Sequence, residues 1–252
     1  MDKSPALGTP ATGQVRPRAA AGEPLAVLFD AYGTLFDVYS VGLLAEQLFP
    51  GQGETLAHLW RDKQIEHTRL ATMSAPDGSR YRPFWDITRG ALRYACARLG
   101  LALGSEAEDR LMNQYRALSA FPEGREVLTQ LKRAGIPTGI LSNGDPAMLG
   151  VAVRSAGLEP LLDHVLSVEA VRAFKTDPRA YALGPAALGL PARQILFVSA
   201  NGWDALGATW YGYTTLWVNR AGLPLEHPDT PPTRMAGNLR EVLGFFPALC
   251  AA

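Results

Sequence analysis

The stretch AVLFDAYGTLFD, residues 26–37, decides the fold of this chain. Four apolar residues run without interruption into Asp30, and the chain then turns at YGT. A short unbroken apolar run that ends at a turn is typical of a strand covered on both faces in a parallel sheet. Ligands of open α/β sheets bind at the carboxyl ends of such strands, so Asp30 marks a candidate site.

Four further apolar or β-branched runs have the same character. They are residues 138–142, 164–168, 195–199 and 214–218. Between them lie helical patterns, in one of which Val127, Leu128 and Leu131 share a face, while Asp145 has the position of a helix cap in another. Repeated strand–helix–strand units predict a doubly wound parallel sheet, that is, a Rossmann-like α/β core.

The interval after the first strand breaks this alternation. Residues 38–121 show strong helical periodicity and no clear strand, and they are far more numerous than a crossover requires. Ser105 and Glu108, inside this interval, have the spacing of a capping box. We therefore predict a helical cap domain at 38–121, inserted in a core domain of residues 25–37 and 122–252. A cap over the carboxyl ends of the strands would shield a pocket from water.

The composition favours small-molecule chemistry in the cytoplasm. The 252 residues carry 24 Lys and Arg against 24 Asp and Glu, so no overall field directs the chain to nucleic acid or to a membrane surface. No apolar run reaches the roughly 18 residues of a membrane span. Cys96 and Cys250 stand far apart without a signal-peptide pattern, which favours a reducing cytoplasm and structural thiols. Residues 1–24, rich in Pro, Gly, Ala and Thr, predict a disordered tail.

Five motifs resemble, in their order, those of the L-2-haloacid dehalogenases of the haloacid dehalogenase superfamily. They are FDAYGTLFDVYSV, LWRDKQ, ILSNGDP, FKTDPRAY and FVSANGWDALGA, and they span nearly all of residues 25–222. The resemblance implies an enzyme that hydrolyses 2-haloalkanoates to hydroxy acids and halide, without a cofactor or a metal ion, and that forms a homodimer. It does not indicate chain length or halide range.

The resemblance also implies a role for each motif residue. Asp30 corresponds to the nucleophile, and Arg61 to the cap residue that receives the halide. The other implied catalytic residues are Thr34, Ser142, Lys175, Tyr181, Ser199, Asn201 and Asp204. The implied substrate-binding residues are Arg61, Ser142, Asn143 and Lys175, with Tyr32, Ile65, Phe84 and Trp203 as apolar pocket walls. Taken singly, Arg61 and Lys175 fit a solvated surface equally well, and the motifs decide between the two interpretations.

Tyr32, two places after Asp30, bears on the reaction class. A phosphatase of this superfamily needs a carboxylate there, because an alkoxide leaving group must be protonated as it departs. Tyrosine, with an ordinary pKa of about 10, is a poor acid for that task. Phosphoryl transfer also needs Mg²⁺ held by several oxygen ligands, and SANGWD offers Asp204 as its one carboxylate. A halide leaves as a stable anion, so Tyr32 favours dehalogenation.

The expected mechanism is covalent and inverts C2. Asp30 would attack C2 opposite the halogen, and water would then hydrolyse the ester. The groups expected to hold the substrate carboxylate are Ser142 and Lys175, those expected to accept the halide are Arg61 and Asn143, and those expected to activate water are Asp204 and Lys175. An L-2-haloacid would therefore give a D-2-hydroxy acid.

Three other functions fit parts of the sequence. They are a magnesium-dependent phosphatase of the same superfamily, an α/β-hydrolase suggested by GWDALG with His227, and a binding module without turnover. Leu206 opposes the second, since a nucleophile elbow needs a small residue there. The chain also departs from the family pattern: Thr176 replaces the usual proline, the N-terminal tail is extra, and the loop at 71–81 is expanded, which leaves substrate size open.

Overall fold

A parallel six-stranded sheet organises the protein, seen here in a computed structural model that describes residues 23–250. The strands are β1 (Ala26–Phe29), β2 (Thr138–Ser142), β3 (His164–Ser167), β4 (Ile195–Ser199), β5 (Thr214–Val218) and β6 (Arg234–Ala236). Their order is β3-β2-β1-β4-β5-β6, and every neighbouring pair is parallel. The predicted doubly wound α/β core is thereby confirmed. The predicted tail lies outside the described residues except for Glu23 and Pro24.

Burial differs between the centre and the edges of the sheet. β1, β2 and β4 consist of buried residues only, as their apolar runs predict. β3 is an edge strand in which Val165 is 45% exposed, so the expectation that it is covered on both faces is wrong. It also ends at Ser167, because Val168 begins a 3₁₀ turn. The sequence offered no apolar run for β6, whose residues are exposed or half-buried.

Helices pack around the sheet and fill the interval between β1 and β2. They are α1 (Gly42–Leu48), α2 (Gly53–Met73), α3 (Phe84–Arg98), α4 (Ser105–Arg116), α5 (Pro122–Arg133), α6 (Pro146–Ser155), α7 (Pro178–Leu188), α8 (Gly202–Tyr211) and α9 (Pro247–Cys250). Shorter 3₁₀ helices lie at Val38–Val41, Glu159–Leu161, Val168–Val171, Ala192–Gln194 and Leu239–Phe245. Within residues 23–250, no helix combines the length and the apolar character that a membrane crossing requires.

Local signals account for several helix ends. α5 buries Val127, Leu128 and Leu131 on its predicted face, and the Asp145 carboxylate caps α6 by accepting from Met148 N. The capping box predicted at Ser105 is wrong. Gly104 is the N-cap of α4, with no side-chain hydrogen bond, and Glu108 instead accepts two hydrogen bonds from Arg93.

The segment at 38–121, which we call the helical insertion, leaves and rejoins the core at one place. Asp37 N donates to Ser119 O (2.8 Å), and Phe121 N donates to Leu35 O (2.9 Å). The two chain crossings therefore run side by side next to the turn that follows β1. Named elements of the insertion are all helical. That it forms a cap domain, separate from a core domain at 25–37 and 122–252, stays a prediction.

Candidate active site

The Asp30 carboxylate lies at the carboxyl end of β1 and is almost fully buried. Its two oxygens have unequal surroundings. Among residues 23–250, Oδ1 accepts one hydrogen bond, from Lys175 Nζ at 3.0 Å. Oδ2 accepts from Asn201 Nδ2 (2.7 Å) and Thr34 Oγ1 (3.0 Å), with Ser199 Oγ at 3.5 Å. Oδ2 is therefore held by donors from two loops, while Oδ1 has the more open coordination.

A tight turn after β1 creates this arrangement. Gly33 adopts φ +92°, a left-handed conformation that side chains rarely adopt. The amides of Thr34 and Leu35 donate back to Ala31 O, and the reversal places the Thr34 hydroxyl against Asp30. The same hydroxyl accepts from Ala200 N (2.9 Å), which joins this turn to the loop after β4.

Lys175 lies between two carboxylates. Its Nζ is 3.0 Å from Asp30 Oδ1 and 2.8 Å from Asp204 Oδ2. Burial alone would lower the pKa of Lys175, but the facing charges of Asp204 and Asp30 outweigh that effect, so the pKa is raised. The ammonium group therefore stays charged and supplies a positive charge between the two carboxylates.

Asp204, in the first turn of α8, is fully buried. Burial raises its pKa to about 6, helped by the charge of Asp30 and opposed by Lys175 and by the hydrogen bond from Tyr181. The Tyr181 hydroxyl donates to Asp204 Oδ1 at 2.8 Å. Burial and the neighbouring Asp204 also raise the pKa of Tyr181 well above its ordinary value, so this phenol remains a donor.

Arg61 brings a second cation to the site from the helical insertion. It projects from α2, and its Nη2 donates to Tyr32 O (3.1 Å) and Asn201 Oδ1 (3.2 Å). The amide of Asn201 donates in turn to Tyr32 O at 2.9 Å. Arg61 therefore lies beside the loop of the candidate nucleophile. That it receives a halide stays a prediction.

The loop after β2 contributes donors. Ser142 Oγ accepts from Gly144 N (3.1 Å), which leaves its own O–H available to another acceptor. Asn143 Oδ1 accepts from Lys175 N (2.9 Å), whereas Asn143 Nδ2 is buried and has no partner among the described residues. A buried N–H without an acceptor costs about 1–3 kcal/mol, which an acceptor atom of a ligand would recover.

Aromatic rings surround Tyr32. Its ring centroid is 5.4 Å from that of Phe84 and 5.8 Å from that of Tyr115. Burial raises the pKa of Tyr32 well above its ordinary value, and its hydroxyl has no hydrogen-bond partner among residues 23–250. Ile65 and Trp203 are half-buried, and the guanidinium of Arg69 lies 5.1 Å from the Trp203 ring. Their part in a pocket stays a prediction.

Residues 71–81, predicted as an expanded loop, are helical as far as Met73, where α2 ends, and they lie against the segment that carries Lys175. Gly78 O accepts from the Arg172 guanidinium, and the Tyr81 ring stacks on that of Phe174 at 4.8 Å. Phe174 N donates to Thr72 Oγ1 at 3.0 Å. These residues therefore cover the segment that carries Lys175. That they form the outer wall of a substrate pocket stays a prediction. The peptide bond from Lys175 to Thr176 is cis.

Comparison with known proteins identifies the family. The family model for haloacid dehalogenase-like hydrolases matches residues 24–212. The chain belongs to this family. It is 42% identical over 220 residues to the (S)-2-haloacid dehalogenase of Pseudomonas sp. (strain YL), a match that covers 87% of this chain and 93% of that one.

Solved structures of haloacid dehalogenases agree with the sequence match. An L-2-haloacid dehalogenase superposes with a TM-score of 0.87 at 60% identity, over 88% of this chain and 98% of the other. The L-2-haloacid dehalogenase of Xanthobacter autotrophicus with covalently bound chloropropionic acid gives 0.80 at 34% identity, over 91% and 99%. The resemblance that the five motifs indicate is confirmed, and the α/β-hydrolase interpretation is wrong.

The sequence motifs did not reveal the contacts of two polar residues at this site, Gln64 and Asp145. Gln64 stands in LWRDKQ three places after Arg61, yet nothing in the motif marks it as a partner of that arginine. Asp145 was expected only as a helix cap, but its Oδ2 also accepts from Trp85 N (2.9 Å) and so joins the core to the insertion.

Within residues 23–250, no three His, Cys, Asp or Glu side chains form a group able to hold a metal ion.

Proposed function

We propose that this family member is an (S)-2-haloacid dehalogenase, which hydrolyses L-2-haloacids and haloacetates to hydroxy acids and halide through an ester on Asp30. The unequal hydrogen bonding of the two Asp30 oxygens is the observation that carries this proposal. An attacking carboxylate must offer one oxygen to carbon, and the other must be held so that the group does not rotate. Oδ1 meets the first condition and Oδ2 the second.

In the first step, Asp30 Oδ1 attacks C2 of the substrate from the face opposite the halogen, which inverts that carbon. The carboxylate of the substrate is held by the Ser142 hydroxyl and by Lys175, whose ammonium has a third N–H beyond those directed at Asp30 and Asp204. Arg61 meets the halide as its charge develops, together with Asn143 Nδ2, which has no partner within the part of the chain that the structure describes.

In the second step, water attacks the carbonyl carbon of the Asp30 ester and gives a proton to Asp204. The bond from that carbon to Oδ1 then breaks, and the hydroxy acid leaves with Oδ1 and with the proton returned by Asp204, which regenerates the Asp30 carboxylate once the second proton of the water is lost to solvent. Because Oδ1 is bonded to the substrate carbon in the ester, the negative charge develops on Oδ2 when water attacks. Oδ2 already faces Thr34, Ser199 and Asn201, which act as an oxyanion hole. With a pKa of about 6, Asp204 is largely ionised at neutral pH and suits the role of general base.

Heavy-oxygen labelling distinguishes this mechanism from direct attack of water. In a single turnover with enzyme in excess in H₂¹⁸O, the label should enter the peptide that contains Asp30 and be absent from the hydroxy acid. Label in the product alone would mean that Asp30 is a general base. A parallel halide-release screen should use chloro-, bromo- and fluoroacetate and both enantiomers of 2-chloropropionate. Absence of halide release from all of them would support a binding module without turnover.

The phosphatase alternative is opposed by the surroundings of Tyr32. Its phenol is buried among rings, and burial raises its pKa further from the range in which it could protonate an alkoxide. Its position in the fold therefore suits a leaving group that takes no proton.

We also propose a cytoplasmic homodimer without nucleic-acid or membrane partners. The dimer rests on the resemblance to L-2-haloacid dehalogenases, and light scattering on the purified protein tests it. The location rests on the sparse cysteines. Cys96 is buried, and burial raises the pKa of its thiol to about 11, which suits a structural role in a reducing compartment.

A further inference from the structure

We infer that Gln64 is a positioning residue that fixes the Arg61 guanidinium toward the leaving halide without neutralising its charge. This inference rests on the role proposed above for Arg61. Gln64 lies one helical turn beyond Arg61 on α2 and is fully buried. Arg61 Nη1 donates to Gln64 Oε1 at 2.6 Å.

Gln64 connects three helices of the insertion. The Tyr115 hydroxyl on α4 donates to the same Oε1 at 3.0 Å. Gln64 Nε2 donates to Thr88 Oγ1 on α3 at 2.6 Å, and the Thr88 hydroxyl donates to Phe84 O at 2.7 Å. Gln64, Thr88 and Tyr115 are all nearly inaccessible to solvent. Water does not compete for these hydrogen bonds, so each of them restricts geometry strongly.

One backbone carbonyl sets the direction of every hydrogen bond in the network around Gln64. Phe84 O can only accept, so the Thr88 hydroxyl must give its single proton to it. Thr88 therefore accepts from Gln64 Nε2, and Gln64 Oε1 must face Arg61 and Tyr115. Reversing the amide would set N–H groups against N–H and O–H groups and leave buried donors unpaired. The Gln64 side chain thus has one permitted orientation, and it offers an acceptor to Arg61.

The neutrality of Gln64 has a chemical consequence. Among the described residues, Arg61 donates to the Gln64 amide, Tyr32 carbonyl and Asn201 amide oxygens, and it also faces the Tyr115 hydroxyl. Each of these groups is neutral. A carboxylate at position 64 would also accept from the guanidinium, but it would offset the charge of Arg61 and would have no N–H to donate to Thr88. The glutamine therefore orients Arg61 while its full positive charge remains for an anion, which is what a departing halide requires.

The test compares the rates of halide release in single turnovers with L-2-chloropropionate and L-2-bromopropionate, because a poorer leaving group depends more on the cation. Gln64→Glu should slow chloride release by about 10- to 100-fold, with a smaller loss for bromide. The exposed Gln47→Glu on α1 is the matched control, since it makes the same chemical change on the same insertion, and it should retain both rates.

Thr88 variants provide a second, milder test that does not depend on the folding of Gln64→Glu. Thr88→Val removes the hydroxyl that sets the orientation of Gln64, whereas Thr88→Ser keeps it. The valine variant should raise the bromide-to-chloride rate ratio, and the serine variant should restore it to the wild-type value. A role limited to stability would slow both substrates equally and leave the ratio unchanged.

Arg61→Ala, measured in parallel, separates the two possible failures. If this variant shifts the bromide-to-chloride ratio but the Gln64 and Thr88 variants do not, the positioning inference is wrong and the proposed function stands. If Arg61→Ala leaves the ratio unchanged, the halide role of Arg61 is wrong, and the inference fails with it. A shifted ratio in Gln64→Glu, Thr88→Val and Arg61→Ala together supports both.

Discussion

The two buried cations of the site have opposite surroundings. Lys175, from the core, faces the carboxylates of Asp30 and Asp204. Arg61, from the helical insertion, donates to amide and carbonyl oxygens that carry no charge. The charge of Lys175 is thus used inside the protein, where it keeps two neighbouring carboxylates compatible, while the charge of Arg61 is left for an anionic ligand. In the proposed mechanism, Lys175 maintains the nucleophile and the base, and Arg61 serves the leaving group.

The largest effect should follow removal of the cation that faces carboxylates. Lys175→Met would leave Asp30 and Asp204 buried beside each other without a counter-charge, so one of them would take up a proton. We expect halide release to fall by about 10³-fold or more, and the free energy of unfolding to fall by about 3–5 kcal/mol. Halide assays and urea unfolding would measure the two losses. Retention of activity within tenfold would contradict the central place given to Lys175.

Removal of Arg61 should lower turnover strongly but lower the free energy of unfolding less than removal of Lys175 does. Arg61→Ala should lower turnover by about 10²- to 10³-fold, but its neutral neighbours make the stability loss smaller, about 1–3 kcal/mol. Arg61→Lys keeps the charge and loses the planar set of donors, so its rate should lie between alanine and wild type. Wild-type turnover in both variants would place Arg61 outside the reaction. A stability loss equal to that of Lys175→Met would contradict the contrast between the two cations.

The pH dependence of ester hydrolysis should report on Asp204, one of the two carboxylates that face Lys175. With Asp204 as the proposed base, ester hydrolysis should fall as the pH drops through its pKa of about 6. Tyr181→Phe removes a hydrogen bond that lowers this pKa, so the fall should begin at higher pH. The pH dependence of wild type and of Tyr181→Phe can be measured as single-turnover product formation between about pH 5 and pH 8, a range that brackets the Asp204 pKa of about 6. An unchanged midpoint in Tyr181→Phe would contradict the assignment of the base.

The linked effect of Asp204 on stability has the opposite sign. Its folded-state pKa lies above the value of about 3.9 for an unfolded aspartate, so the folded state binds the proton more tightly. The contribution of this group to stability is therefore present at low pH and is lost as the pH rises through about 6. If the rate of ester hydrolysis rises with pH over the range in which the Asp204 contribution to the free energy of unfolding declines, Asp204 is retained for catalysis and not for stability.

The site residues of the core could be predicted from the sequence, whereas those of the helical insertion could be predicted only in part. Apolar runs ending at Asp30, Ser142 and Ser199 show which side chains reach one edge of a parallel sheet, because strand ends converge there by topology. β6 could not be found in this way, since its three residues are exposed or half-buried and form no apolar run.

The Gln64 network illustrates what sequence patterns omit. It requires α2, α3 and α4 to meet at Gln64, Thr88 and Tyr115, and helical periodicity gives the faces of helices but not their mutual contacts. The capping-box prediction at Ser105 failed for a related reason, because Glu108 lies within reach of Arg93 on a neighbouring helix. The unequal environment of the Asp30 oxygens likewise depends on atomic positions that no motif encodes.

The smallest expected effect is that of a metal chelator. In a magnesium-dependent phosphatase, a divalent cation would offset charge near the nucleophile. Here the Lys175 ammonium is within 3.0 Å of Asp30 and 2.8 Å of Asp204, so a side chain already supplies positive charge between these carboxylates. Chloride release from L-2-chloropropionate should therefore continue at an unchanged rate in excess chelator, measured after dialysis against it. A loss of activity that added Mg²⁺ restores would assign the offsetting charge to a metal ion, and the contrast between Lys175 and Arg61 would then no longer describe the reaction.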